Sequence, residues 1–195
     1  MKRKYHISLI IVMLSISLFC CYHIYYYLLD TSNDTLIRDY YVADQVNDVE
    51  QEEVVSKLVS KKEDYLGIIS IPKINLKTGF YNKNSKKNNV SNSVTLLKES
   101  ILPGVESSII YLAAHSGSGY LAYFKNINKL TYEDIIDISI NKVNYQYSIF
   151  DIYELPKNGS IMVNRNINEN YLVLTTCSNN KNMQLVIVSK MINKV

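Results

Sequence analysis

The sequence has little of what metal centres and disulfide frameworks are built from. Its 195 residues include three cysteines, three histidines, six glycines, three prolines and no tryptophan. Cys20 and Cys21 both lie in a long apolar run, which leaves Cys177 as the only cysteine in the rest of the chain. The sequence contains no Cys-x-x-Cys pair, no paired histidine ligands and no phosphate-binding glycine loop. We therefore predict no internal disulfide beyond the apolar run and no metal site.

Composition and charge indicate a globular domain with appended segments. The chain is 47% hydrophobic and 20% charged, with a formal net charge of +3. These values argue against a collagen-like or wholly disordered protein. The polar stretch "YNKNSKKNNVSNS", residues 81–93, carries lysines that could contact nucleic acid, but no aromatic residues are interleaved with them. We interpret it as a solvated loop and expect no nucleic-acid partner.

The longest apolar run predicts a membrane anchor. Ser8 to Leu29 carries no formal charge and, at about 20 residues, is long enough to cross a bilayer as a helix. The basic residues 2–4 precede it, and such residues stay on the cytoplasmic side, so the rest of the chain should lie outside the cell membrane. A cleaved signal peptide is the alternative, but its apolar part is shorter and ends in a small-residue cleavage site, which is missing here. We predict an uncleaved signal-anchor over residues 1–29.

The next segment, residues 30–62, is polar and mainly acidic. Within it, "DQVNDVEQEEVVSKLVSKKED" spaces its valines and its leucine at loosely helical intervals. Acidic residues come before the lysines, an arrangement that suits the helix dipole. We interpret residues 30–62 as a stalk, mostly helical, that leads to a domain over residues 63–195.

Beyond residue 63 the pattern changes to alternating or short apolar runs bounded by turn residues. The runs predict eight strands, which are "YLGIISI", "KTGFY", "SVTLL", "SSIIYLAA", "DIIDISI", "KVNYQYSIFDIY", "YLVLTT" and "QLVIVSKMI". One helix or helical turn is predicted within the domain, in "GYLAYFKNINKL". Short strands at close spacing indicate an all-β barrel or sandwich, in which closure removes exposed edges.

Two residues with useful chemistry follow predicted strands. Cys177 comes directly after "YLVLTT", and His115, the one histidine of the domain, comes directly after "SSIIYLAA". A thiolate is a strong nucleophile, and an imidazole can take the thiol proton and later protonate a departing amine. Separately, Cys177 could be a small buried hydrophobe and His115 the cap of its strand. Together, in an exported β domain, they predict an acyl-transfer site.

The residues around these two positions resemble the motifs of sortases. "VLTTC" is similar to the T-L-x-T-C signature, with Val173 in place of its first threonine. "AAHSGSGYLAYFKNINKL" resembles the histidine segment, with Ala114 in place of a frequent glycine, and "YLGIISIPKINL" resembles the first strand and its I-x-I-P turn. The resemblance covers most of residues 65–195. It implies an all-β, eight-stranded barrel with short helical connections, preceded by one transmembrane helix.

The resemblance also implies an activity. Sortases are cysteine transpeptidases of the Gram-positive cell surface, which makes Cys177 the nucleophile and His115 the general acid and base. They cleave a C-terminal sorting signal of a surface protein and pass the acyl group to an amine of a peptidoglycan precursor or a pilin lysine. No cofactor is implied, because the thioester conserves the energy of the broken peptide bond. Thr176 could shape the floor of the substrate groove or simply pack in the barrel wall as a β-branched residue.

One family feature is missing. Sortases carry an arginine in the strand after the cysteine, and the matching position is Gln184, which can donate a hydrogen bond but brings no charge. The only arginine of the domain is Arg165, in the loop where sortases recognise the sorting signal. It could donate to the oxyanion or the substrate from another direction, or be an exposed loop residue. That loop, residues 154–170, is too short for the long helix of class B sortases.

Three alternatives to a transpeptidase remain open at this point. A cysteine peptidase would use water in place of the amine. A sortase-like module that binds peptides without catalysis would agree with the uncharged Gln184. An adhesin with a buried structural cysteine would leave Cys177 unreactive in the folded state.

Overall fold

The computed structural model describes residues 2–42, 65–141 and 143–194. The chain forms two compact units, the first ending at Thr35 and the second beginning at Leu36. Helix α1, Lys2–Val42, supplies the first unit and the opening residues of the second. Between Leu9 and Val42 this helix is long and apolar enough to cross a membrane.

Helix α1 continues past the predicted end of the anchor at residue 29. Thr31 and Thr35 donate their hydroxyl hydrogens to the carbonyls four residues earlier, at 2.9 and 2.8 Å, so these polar side chains are accommodated within the helix. Helix α1 thus includes residues 30–42 of the segment for which a helical stalk is predicted. The remainder of that prediction, and the domain boundary predicted at residue 62, lie outside the described residues.

The second unit carries the eight strands that the hydrophobic pattern predicts. In chain order they are β1 Gly67–Ile71, β2 Leu76–Phe80, β3 Thr95–Leu96, β4 Ile109–Ala113, β5 Ile135–Ile140, β6 Val143–Pro156, β7 Tyr171–Cys177 and β8 Met183–Lys194. Their order in the sheet is β2-β1-β5-β6-β8-β7-β4-β3. A further bridge between Phe80, at the end of β2, and Val94, just before β3, joins the two edges. The sheet is thus a nearly closed barrel, which confirms the predicted fold.

The helical connections are short, as the sequence predicts. Within "GYLAYFKNINKL" the helical part is a single 3-10 turn, Ile127–Lys129. A second 3-10 turn, Pro72–Ile74, lies where the sequence predicts only a break. Proline favours the first position of such a turn because its φ is already fixed, and Asn75 ends the turn with a φ of +50°.

The barrel sheet is buried on both faces around β7. Leu172 and Leu174 of β7 belong to the barrel core, together with the fully buried Phe124. The alternate residues Tyr171 and Val173 belong to a second cluster on the outside of the sheet. We call this second set the outer cluster, and its buried members are Ile109, Tyr171, Val173, Val186 and Val188. Because both faces of β7 are covered, the strand is an apolar run without polar alternation.

Close packing against Gly79 leads to a prediction about stability. A Cβ atom at Gly79 would lie 2.0 Å from the ring of Tyr65, which packs with Ile68 and Tyr81. We expect Gly79→Ala to lower the free energy of unfolding by about 1–3 kcal/mol, because the ring must move. Gly119→Ala is the matched control, since nothing lies within 4 Å of a Cβ there. Urea unfolding of the two variants should separate them, and equal stabilities would contradict the prediction.

Candidate active site

Strands β4 and β7 bring His115 and Cys177 to one edge of the barrel. The two strands pair in parallel, with Ala113 opposite Thr175. Parallel strands end at the same edge of a sheet, so the residues that follow them are neighbours. The pairing continues one step further, since the Ala114 N–H donates to the Thr175 carbonyl at 3.4 Å. His115 and Cys177 are the next residues on the two strands, and both are exposed.

Alternation places both residues on the outside of the sheet. Tyr111 of β4 packs against the outer cluster, whereas Leu112 and Ala114 belong to the barrel core. Continuing the period of two puts His115 on the same face as Tyr111. On β7 the same rule puts Cys177 on the face of Val173. The two predicted catalytic side chains therefore share a face as well as an edge.

Hydrogen bonds tie the ends of the two strands together. The Ser116 hydroxyl donates to the Cys177 carbonyl at 2.7 Å, and the Thr176 hydroxyl donates to the Ala114 carbonyl at 2.7 Å. The Phe124 N–H holds the His115 carbonyl at 2.9 Å. Thr176 is buried, and alternation puts it on the barrel-core face, opposite to Cys177. Thr176 therefore lies in the barrel wall, where it also lines a cavity beside Cys177.

Gln184 lies directly opposite Cys177 in the pairing of β7 with β8. Its side-chain oxygen accepts a bond from the Thr175 hydroxyl at 3.3 Å. Its Nε2 donates to the carbonyls of Pro156 and Gly159, both at 3.2 Å. The structure thus places Gln184 beside Cys177, but its two amide hydrogens bind the start of the loop between β6 and β7.

These bonds lead to a prediction for Gln184→Ala. The change removes the bonds to Pro156 and Gly159, each worth about 1 kcal/mol, so the start of the loop should open more often. We expect faster amide hydrogen exchange over residues 157–159, measured by mass spectrometry. Gln146→Ala is the matched control, because its amide binds Asp137 instead. Unchanged exchange at residues 157–159 in the Gln184 variant would contradict this role.

Arg165 lies on the same side of the sheet but at a different place. Its side chain is exposed, and its guanidinium is close enough to Tyr111 to act on that phenol. Burial raises the pKa of Tyr111, and the positive charge of Arg165 counters part of the rise. Tyr111 comes four residues before His115, which is about 13 Å along a strand. The charge of Arg165 therefore acts on the phenol of Tyr111, a residue of β4 on the same strand face as His115.

The loop that carries Arg165 covers the outer cluster. Ile161 and Val163 pack against it, and the Tyr153 hydroxyl donates to the Met162 carbonyl at 3.3 Å. Met162 and Ile167 point outward and are 83% and 74% exposed. The outer face next to Cys177 is thus bordered by a loop with exposed apolar side chains and one arginine.

A small cavity of about 60 Å³ lies on the other side of Cys177. Its walls include Cys177, Ser116, Phe124, Lys125, Glu154 and Leu185. Sequence reasoning missed Ser116 and Glu154. Ser116 could have been found, since it directly follows His115, but Glu154 is brought to Cys177 only by the strand order. In the described parts of the chain, no group of three His, Cys, Asp or Glu side chains could hold a metal ion.

Solved sortase structures share this architecture. Sortase C1 from Streptococcus agalactiae has a TM-score of 0.58 at 27% identity, over 69% of this chain and 70% of that chain. Clostridium perfringens sortase C, solved with a C-terminal cell wall sorting motif, has a TM-score of 0.57 at 26% identity, over 84% and 91%. The Clostridium perfringens sortase D5 transpeptidase has a TM-score of 0.60 at 22% identity, over 84% of this chain and 98% of that chain. At this identity the similarity shows the fold alone.

The family comparison covers the barrel and both candidate catalytic residues. No curated protein matches the sequence. The Sortase domain family, however, matches residues 69–192, which is more than half of the chain and reaches from β1 into β8. Together with the nearly closed eight-stranded barrel, this match shows that the chain belongs to the sortase family.

Proposed function

We propose that this protein is a membrane-anchored cysteine transpeptidase that forms an acyl-enzyme on Cys177 and transfers the acyl group to an amine. The observation that carries the proposal is the parallel pairing of β4 with β7, which brings His115 and Cys177 to one edge and one face. A nucleophile and an acid/base group side by side are what acyl transfer requires. Membership of the sortase family supports the same reaction.

In the first half of the proposed reaction, the Cys177 sulfur attacks the scissile carbonyl. The carbon–sulfur bond forms and the carbon–nitrogen bond breaks, while His115 supplies the proton that the departing amine needs. The product is a thioester on Cys177. In the second half an amine attacks this thioester, and Cys177 leaves as the thiolate. Water in place of the amine would give a peptidase.

The proposed donor substrate is the C-terminal sorting signal of a surface protein. The outer face beside Cys177 suits a peptide, because an extended chain can lie at the ends of β4 and β7, next to the loop whose Ile161 and Val163 cover the rest of these strands. Met162 and Ile167 offer exposed apolar contacts there, and Arg165 offers a donor to a peptide carbonyl or carboxylate. The sorting motif bound to the Clostridium perfringens sortase C supports this class of donor. A pilin lysine or a peptidoglycan precursor would supply the amine.

The proposed location is the cell membrane, with one span and an extracellular catalytic domain. Helix α1 is long and apolar enough to act as the anchor. Basic residues 2–4 favour a cytoplasmic N-terminus. Surface proteins would then meet the enzyme on the outer side of the membrane.

A second candidate function is a peptide-binding module with impaired catalysis. The observation that favours it is Gln184, because the side chain carries no charge and its amide hydrogens already bind Pro156 and Gly159. Losing one oxyanion donor costs about 10²- to 10³-fold in rate in well-studied acyl-transfer enzymes. Restoring the charge with Gln184→Arg would then raise the rate.

The test is intact-mass spectrometry of the full chain in detergent after incubation with a library of sorting-signal peptides. A transpeptidase forms an adduct that is absent in Cys177→Ala, and adding an amine converts it to an amide product. An adduct that gives only the free acid indicates a peptidase. If neither the native chain nor Gln184→Arg forms an adduct with any peptide that it binds, the binding module replaces the transpeptidase.

A further inference from the structure

The cavity beside Cys177 lies on the opposite side from the face that suits the donor peptide. Cys177 and Gln184 alternate with Thr176 and Leu185, and the latter two line the cavity. Glu154 lies opposite Leu185 in the pairing of β6 with β8, so it belongs to the same row. Cys177 lies at the end of β7 and itself lines the cavity, so a thioester on it would be reached from two sides, one filled by the acyl chain and one open to this cavity.

Glu154 is a carboxylate with two neutral partners. One of its oxygens accepts a bond from the Ser178 hydroxyl, and the other accepts a bond from the Asn180 amide. These two bonds hold the pKa of Glu154 below its usual value, so the group is an anion at neutral pH. Each carboxylate oxygen has a second lone pair that can accept another hydrogen bond. Ser178 and Asn180 thus orient the carboxylate, and neither of these two uncharged partners neutralises its charge.

The only cation in the cavity wall is Lys125, among the residues that the structure places there. Its ammonium opposes the entry of a second cation, and without Glu154 the wall would carry a net positive charge. Glu154 is therefore the group that makes the cavity favourable for an ammonium ion. The cavity volume of about 60 Å³ is several times what one water molecule needs, so an ammonium group and the end of its chain fit.

We propose that this cavity, named here the amine cavity, binds the ammonium group of the acceptor substrate on Glu154 beside the acylated Cys177. The inference rests on the proposed function, because it assigns the second substrate of that reaction to a site. The acceptor is an unbranched primary amine, and Glu154 is a specificity-determining residue. The donor and the acceptor then approach Cys177 from opposite sides of β7.

Two protons leave the acceptor nitrogen in this step. The ammonium that Glu154 holds loses one proton to solvent and becomes a nucleophilic amine. Its nitrogen attacks the thioester carbonyl, the carbon–nitrogen bond forms, and the carbon–sulfur bond breaks with the electron pair going to Cys177. The second proton passes to His115. The amide, the Cys177 thiolate and an imidazolium result, and no oxidant or further reactant is needed.

The test places an acetyl group on Cys177 chemically. The full chain in detergent, with Cys20 and Cys21 replaced by alanine, is treated with a small acetyl thioester that exchanges onto thiols. Either n-butylamine, a cation at neutral pH, or hydroxylamine, which is uncharged, is then added, and loss of the acetyl group from Cys177 is followed by peptide mass. The measured quantity is the rate constant with n-butylamine divided by the rate constant with hydroxylamine. A variant that changes the general reactivity of the thioester changes both rate constants, so that effect cancels in the ratio.

The variants are Glu154→Gln and Glu154→Asp. The matched control is Glu106→Gln, which removes an exposed carboxylate just before β4, at the opposite end of that strand from His115. We expect the ratio to fall about tenfold in Glu154→Gln, to recover in part in Glu154→Asp, and to stay unchanged in the control, because a charge-assisted hydrogen bond is lost. An equal ratio in Glu154→Gln and the native chain would overturn the amine cavity. A chain that never acylates from a peptide would overturn the proposed function instead, since here the acetyl group is installed by reagent.

Discussion

Replacing His115 with alanine is expected to slow acylation of Cys177 by a sorting-signal peptide about 10²- to 10⁴-fold. Without the imidazole, the thiol has no partner to accept its proton and the departing amine has none to protonate it. The side chain is exposed at the edge of the barrel, so its removal leaves no cavity in the core. The rate of adduct formation, measured by quenched intact-mass spectrometry, reports the effect directly.

His23→Ala is the matched control for this prediction. His23 lies in helix α1, where its ring packs against Phe19, and the change removes the same atoms from a place outside the barrel. The control should acylate at the native rate. A second measurement that needs no peptide is the rate of alkylation of Cys177 by iodoacetamide, which should be lower in His115→Ala than in the native chain. If His115→Ala acylates as fast as the control, another group is the acid and base.

The strands of the barrel were predictable because short runs of apolar residues in the sequence determine where each strand lies. Eight runs with alternating or continuous apolar residues became eight strands, and Cys177 ends β7 as its run predicts. The run before it has no polar alternation, which indicates burial on both faces, and β7 does have a core on each side. The helical turn predicted in "GYLAYFKNINKL" is also present, as the 3-10 turn Ile127–Lys129.

The surroundings of Cys177 were less predictable, because they depend on which strands become neighbours. Glu154 belongs to β6, yet the order β6-β8-β7 places it two strands from Cys177. No periodicity in the sequence encodes that order. Gln184 shows the same limit, since its place opposite Cys177 follows from the register, whereas its bonds to Pro156 and Gly159 depend on the path of a loop. Side-chain partners across strands are therefore a product of topology.

The two sides of β7 suggest a reason for the parallel strand pair. A β-hairpin would connect β4 to its partner by a short turn and would put the ends of the two strands at opposite edges. The parallel pair instead puts the residues after both strands at one edge, where Ser116 and Cys177 are hydrogen-bonded. The same edge remains open to the outer face and to the amine cavity. In the proposed reaction, one strand pair would thus supply a nucleophile, an acid/base group and access for two substrates.

Phe124→Ala is expected to have the largest effect on stability, about 3–5 kcal/mol, because deleting a buried aromatic ring removes its transfer free energy and leaves a cavity. Phe124 is fully buried in the barrel core. Its ring also borders the amine cavity, so the new space would join a cavity that already opens beside Cys177. Pulse proteolysis of the full chain across a urea gradient measures the loss.

Phe150→Ala is the matched control for Phe124→Ala, because it deletes the same side chain from a partly exposed position. Phe150 is 44% exposed on β6, so its replacement should cost less than about 1 kcal/mol. The Phe124 N–H that donates to the His115 carbonyl is a backbone group, so this hydrogen bond can still form in Phe124→Ala. The turn that carries the N–H, however, loses the aromatic ring that packs it into the barrel core. Acylation should therefore slow in Phe124→Ala even at temperatures where the barrel is folded, and Phe150→Ala should acylate normally. Equal stability of the two variants would show that the core does not hold the end of β4 in place, and the position of His115 would then need another explanation.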